Sequence, residues 1–125
     1  MRILIIEDNK DNLELVRFLL QRSGHDVLAE VDGVSGLQTA TQETPDLILL
    51  DLALPELDGW TAAKKLKENA RTQSIPLVAL TAHTLPGDKR RAMDAGCDGY
   101  IPKPINVATF PAEVENYFNA KLSSV

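Results

Sequence analysis

The sequence predicts an α/β domain, a doubly wound parallel sheet of five strands with helices on both faces. Five short apolar runs alternate with five helical patterns, and only short links separate them. That alternation calls for right-handed crossovers between parallel strands. The runs are apolar throughout, as in Leu47-Ile48-Leu49-Leu50, and breakers bound them, which is how strands buried on both faces read. Four of the five runs end in or just before a chemically active group: Glu7 and Asp8, Asp51, Thr81 and Lys103. Parallel strands bring their carboxyl ends to one edge of a sheet, where ligands bind in open α/β folds.

Ile3 to Ile6 is the first strand, and a helix capped by Asp8 or Asn9 follows it. Leu13, Val16, Leu19 and Leu20 share one face of that helix, and Gly24 ends it in the left-handed conformation. His25 to Val31 forms the second strand, with Asp32-Gly33 as a turn. Val34 to Glu43 is a weaker amphipathic helix, showing Val34, Leu37 and Ala40 to the core. The central strand runs to Asp51, and Pro55 and Gly59 close the segment. Trp60 to Ala70 is helical, with Asp58 as candidate cap and Ala63 and Leu66 at core spacing. Pro76 to Thr81 is the fourth strand. Pro86 fits the first turn of the next helix and Gly96 its end. Cys97 to Ile101 is the last strand. A closing helix covers about Val107 to Leu122, with Val114, Tyr117 and Phe118 as contacts, and Ser123 to Val125 fray.

A chain of 125 residues supports one domain with a real core. Its net charge of −5 disfavours nonspecific binding to nucleic acid. The single Cys97 excludes an internal disulfide, and no Cys/His cluster has zinc spacing, so a reducing compartment is expected. No segment reaches the roughly 20 apolar residues of a membrane span, and the apolar start is too short for a signal peptide. The expected location is the cytoplasm. Met1 and the short tail suit a stand-alone domain whose output comes through protein contact, with one domain excised from a larger protein as the alternative.

The strand ends suggest the chemistry. Two carboxylates about 4 Å apart repel by about 4 kcal/mol at an intermediate dielectric. A hard divalent cation relieves that repulsion, and an oxygen donor set with room for waters suits Mg²⁺. A carboxylate can attack phosphorus to give an acyl phosphate. Phosphoryl transfer then asks chiefly for positioning and for neutralisation of the equatorial oxygens. Mg²⁺, the Lys103 ammonium and the Thr81 hydroxyl can each serve one of them.

The chain resembles the receiver domain of bacterial two-component response regulators. Ile3-Leu4-Ile5-Ile6-Glu7-Asp8-Asn9, Asp46-Leu-Ile-Leu-Leu-Asp51-Leu-Ala-Leu-Pro55 and Asp58-Gly59 carry the likeness. Pro76-Leu-Val-Ala-Leu-Thr81-Ala82, Asp94-Ala-Gly96-Cys-Asp-Gly99-Tyr100 and Lys103-Pro104 extend it over essentially the whole chain, 1–125. The resemblance implies a flavodoxin-like (βα)5 sheet in the order 2-1-3-4-5. It implies that Asp51 accepts a phosphoryl group from a sensor histidine kinase or a histidine phosphotransfer protein. Asp8 is then a direct Mg²⁺ ligand, Glu7 acts through water, Asp51 is ligand and nucleophile, and the Ala53 carbonyl completes the set, with Mn²⁺ an acceptable substitute. Thr81 swings toward the phosphoryl group, the Tyr100 rotamer follows, and the Lys103–Pro104 bond is cis. The face of the fourth helix, fifth strand and fifth helix would then meet a downstream protein, with the chain a monomer or a phosphorylation-dependent homodimer.

Some positions depart from the pattern or carry more than one reading. The acidic pair is Glu-Asp rather than Asp-Asp, and Ala53 and His83 occupy the positions that tune phosphoryl lifetime in this family. Pro111 means that the last helix starts late, with Thr109 as cap, or has a distorted first turn. Lys89, Arg90 and Arg91 fall early in the fourth helix against its dipole, as a solvated run or as a docking patch for an acidic partner beside Tyr100. Trp60 reads as packing or surface-lining, Cys97 as a small buried hydrophobe, and His25 as a surface residue. The competing function is an aspartyl-nucleophile phosphatase or phosphotransferase, which wants a second Asp where Ala53 stands. A flavin carrier of the same topology wants a phosphate loop where Glu7-Asp8-Asn9-Lys10-Asp11 is acidic.

Overall fold

The computed structural model describes residues 1–53, 59–82 and 86–123. Strands β1 (Arg2–Ile6), β2 (Asp26–Glu30), β3 (Leu47–Asp51), β4 (Leu77–Thr81) and β5 (Gly99–Pro102) alternate with five helices. These are α1 (Lys10–Arg22), α2 (Gly33–Glu43), α3 (Gly59–Glu68), α4 (Pro86–Asp94) and α5 (Phe110–Ser123). All strand pairs are parallel, and the sheet order is β2-β1-β3-β4-β5. This is the predicted flavodoxin-like order.

Alternation along the inner strands divides the core in two, because successive side chains of a strand point to opposite faces. Leu4, Ile6, Ile48, Leu50, Leu77 and Ala79 meet Ala40 of α2, Ala62, Ala63 and Leu66 of α3, and Ala92 of α4. Ile3, Ile5, Leu47, Leu49, Val78 and Leu80 meet Val16, Leu19 and Leu20 of α1, with Phe110 and Val114 of α5. Every residue of β3 and β4 is buried, so the two strands that end in Asp51 and Thr81 lie in the enclosed interior of the sheet. Among the described residues no helix is long and apolar enough to cross a membrane.

Several local expectations change. Asn9, not Asp8, caps α1, its side chain accepting from the Asn12 amide, and Gly24 follows with φ +92°. The second strand is shorter than His25 to Val31. His25 is no surface residue: its side chain is 12% exposed, and Nε2 lies 2.9 Å from Glu115 Oε1. Helix α2 begins at Gly33, with the Asp32 carboxylate accepting from the Ser35 amide. Ala40 is buried and Leu37 packs on the core as expected, but Val34 is 50% exposed, and Gly33 and Gly36 are buried in its stead. Cys97 is buried as expected but precedes β5.

Lys89 to Arg91 occupy the middle of a nine-residue helix rather than its start, and Arg91 lies in the last turn, where a cation suits the dipole. Arg91 also stacks over the Trp60 ring at 4.2 Å, which fixes Trp60 as a packing residue between α3 and α4. Helix α5 starts late. A turn built on Asn106 precedes it, the Asn106 side chain accepting from the Ala108 amide, and Thr109 O accepts the Glu113 amide. Pro111 is therefore the second helical residue, where no intrahelical partner exists for the missing N–H. Pro55, Asp58 and His83 lie outside the described residues.

Candidate functional site

The site stands on the carboxyl edge of the sheet. At the end of β1 the Glu7 amide continues the ladder to Glu30 O at 3.0 Å, so the side chain of Glu7 turns into the molecule and is 1% exposed. Asp8 follows on the surface. Asp51 is the last residue of β3, 4% exposed, and its Oδ1 accepts from the Ala53 amide at 2.9 Å. Thr81 ends β4 and is fully buried. Asp51 pairs with Leu80 in register, which puts Thr81 one step beyond Asp51 on the neighbouring strand.

Lys103 comes in just past β5. Its amide donates to Thr81 O at 2.8 Å, and the Lys103–Pro104 bond is cis, as expected. The ammonium lies 2.6 Å from Glu7 Oε1 and 3.4 Å from Asp51 Oδ2. One cation thus bridges two buried carboxylates from different strands. Tyr100 is half-buried in β5, opposite Ala79, and packs against the core face that carries α2, α3 and α4. Ala53 is exposed on the loop after Asp51.

Crowding of these charges sorts their protonation. Burial, with the neighbouring Asp51 carboxylate, pushes Glu7 from 4.5 up to about 7, and Lys103 offsets only part of that. Burial acts on Asp51 as well, but the adjoining Glu7 carboxyl, the hydrogen bond from the Ala53 amide and the Lys103 charge hold its carboxyl below the ordinary 3.8. Asp51 is the ionised partner at neutral pH.

The donor set fits a hard divalent cation. Glu7, Asp8 and Asp51 each offer a carboxylate oxygen within 4.8 Å of the other two. Glu7 Oε2 is buried and has no hydrogen-bond partner, an arrangement that a cation or its water would satisfy. Beside the carboxylates, a groove of about 300 Å³ runs between α1 and the loop after β5, bordered by Glu7, Asn12, Leu15, Lys103 and Ile105.

A family model described as the response regulator receiver domain matches residues 3–115 of this chain. The chain belongs to the response regulator receiver domain family. The polar-differentiation response regulator DivK of Brucella anthropi is 38% identical over 115 residues, covering 92% of this chain and 94% of that protein. The receiver domain of a Pseudomonas aeruginosa sensor histidine kinase, solved with magnesium coordinated in its active-site cleft, is 30% identical. It superposes with a TM-score of 0.87 over 94% of this chain and 97% of that one. A response regulator from Chloroflexus aurantiacus is 27% identical with a TM-score of 0.89, covering 94% and 97%. Receiver domains are signalling switches of two-component systems, generally without an enzymatic activity of their own, and they bind Mg²⁺ in their acidic site.

One contact behind β5 was not singled out by local sequence. Tyr117 reads from its spacing as an ordinary core contact, yet its hydroxyl accepts from the Tyr100 amide at 3.4 Å and donates to Tyr100 O at 3.2 Å. A glycine directly before Tyr100 was the available signal, because the Tyr117 ring fills the space a side chain at Gly99 would need.

Proposed function

We propose that this chain is a phosphoacceptor switch in which Asp51 takes its phosphoryl group from the phosphohistidine of a sensor histidine kinase or histidine phosphotransfer protein. The approach of one ammonium, Lys103, to the buried carboxylates of Glu7 and Asp51 at 2.6 and 3.4 Å carries this reading. Asp51 is ionised and aimed by the Ala53 amide. Its oxygen attacks phosphorus, an O–P bond forms, the P–N bond breaks, and imidazole leaves with that electron pair and is protonated on nitrogen. Lys103 offsets charge on the transferred group, and the Thr81 hydroxyl donates to another of its oxygens.

Glu7, Asp8, Asp51 and the Ala53 carbonyl would hold Mg²⁺, with Mn²⁺ as substitute. Once bound, the ion supplies positive charge against the phosphoryl oxygens. Beyond taking up the group and losing it to water, at a rate set by Ala53 and His83, the chain catalyses nothing in this reading. The phosphoryl group biases Thr81, Tyr100 and the α4–β5–α5 face toward binding a downstream protein. The unit is one receiver domain, 1–125, acting in the cytoplasm as a monomer or a phosphorylation-dependent homodimer, without nucleic acid or membrane as partner.

Phosphoramidate, a small donor with a P–N bond, tests the chemistry. The chain should take up one phosphoryl group, seen as an acyl phosphate by phosphorus NMR. Lys103→Ala should slow that uptake about 10- to 100-fold. Uptake by that variant at the wild-type rate contradicts the assignment.

A further inference from the structure

The Tyr117 side chain does two things at once. Its ring packs on Gly99 so closely that a Cβ there would lie 2.4 Å from Cε1. Its hydroxyl reaches both backbone polar groups of Tyr100, at 3.4 Å from the nitrogen and 3.2 Å from the oxygen. Each bond is near the long end of the range, but both converge on one peptide segment. Tyr100 is thereby gripped by its main chain from α5, while its ring lies on the other face of the sheet, against the α2–α4 core.

From this geometry we propose that Tyr117 is a positioning residue for the switch, the hydroxyl clasp that makes α5 respond to Tyr100. The inference rests on the phosphoacceptor reading and deepens it. Helix α5 meets the sheet through the buried Phe110 and Val114 and through the half-buried Tyr117 and Phe118. Apolar contacts of this kind are non-directional and single out no one peptide group as partner. A hydroxyl that donates to one carbonyl and accepts from the same residue's amide does prefer one. Any displacement of the Tyr100 backbone therefore passes to the middle of α5 through the Tyr117 oxygen. Without it, movement at Tyr100 still reaches α4 by side-chain contact but loses its grip on α5.

The test compares the full chain with Tyr117→Phe, which keeps the ring on Gly99 and removes only the hydroxyl. Both are titrated with beryllofluoride and Mg²⁺, and the amide shift changes are read by residue. In the variant, the shifts of residues 110–120 should fall to less than half of the wild-type values, while those at Thr81 and in α4 persist. Asp51 labelling by acetyl phosphate should keep its rate. Unchanged shift amplitudes along α5 would overturn the proposal, because a merely structural tyrosine leaves the response intact. Loss of the response everywhere in the wild type would instead strike the phosphoacceptor reading itself.

Discussion

Glu7 holds the least comfortable position in the site, a carboxylate buried beside another, with one oxygen on Lys103 and the other without a partner. In the metal-free chain it keeps its proton to about pH 7 when folded but loses it near 4.5 when unfolded. Between those values the folded state binds more protons, so stability falls as pH rises through this window and is level above it. Asp51 acts in the opposite sense: its lowered pKa contributes stability above the ordinary 3.8 and loses it as pH drops below. Glu7→Gln should therefore shrink the loss of stability between about pH 5 and about pH 8, read as urea midpoints without metal. An equal loss in both proteins contradicts the assignment. Binding of Mg²⁺ should also release protons at about pH 6 and almost none at about pH 9, measured calorimetrically in buffers of differing ionisation enthalpy. At this scale the strand-end chemistry was legible, because Glu7, Asp51, Thr81 and Lys103 each interrupt or follow an apolar run. Which of Glu7 and Asp8 turns inward was not, since adjacent acids differ only in strand parity. His25 was illegible for another reason: its partner Glu115 is 90 residues away.

Elements fix how rigidly those groups are held. Helix α3 leaves the site with Gly59 pressed on the chain just past Asp51: a Cβ there would lie 2.3 Å from the Leu52 Cα, and the Gly59 amide donates to Leu52 O at 3.2 Å. Backbone cannot give way as a side chain end can. Gly59→Ala should cost about 1–3 kcal/mol in urea unfolding and slow phosphoryl uptake as well. Wild-type stability and rate would show that α3 shifts freely. At the opposite end of the sheet, Lys67 Nζ donates to Ile75 O at 2.9 Å, Gln73 O at 3.2 Å and the Asp98 carboxylate at 2.9 Å. The same Asp98 oxygen accepts the Leu77 amide, so α3, β4 and the entry to β5 share one polar knot. Lys67→Met should lose about 2 kcal/mol with phosphoryl uptake unchanged, since the knot lies away from the site. Apolar runs and periodicity made most elements legible, and Pro86 and Gly96 bracketed the polar α4, whereas the limits depended on contacts the local pattern does not carry. Val34 repeats with Leu37 and Ala40, but Gly36 is the residue small enough to sit on Ile6, and that rotates α2 and exposes Val34. The late start of α5 follows from the Asn106 turn, a side chain-to-backbone device that periodicity ignores.

At the scale of the molecule, the sheet turns four separate sequence positions into one chemical site, and its order was legible through a family likeness more than through propensity. Parallel pairing of β1, β3, β4 and β5 leaves their carboxyl ends no other place to go. Switching asks more: moving a population from 1:99 to 99:1 takes about 5.5 kcal/mol of differential stabilisation. A new dianion that draws Lys103 from Glu7 and engages Thr81 would supply it. Thr81→Ala should consequently accept a phosphoryl group at Asp51 yet show a weaker beryllofluoride response at Tyr100, compared by residue-resolved amide shifts. Full response without the hydroxyl would remove Thr81 from the route. Whether Asp51 is the acceptor in a metal-assisted site is tested by intact mass after incubation with acetyl phosphate. One phosphoryl adduct should form with Mg²⁺, be absent without it, and be absent in Asp51→Asn. An adduct that persists in Asp51→Asn would move the acceptor elsewhere, and one that forms equally without Mg²⁺ would remove the metal from the site.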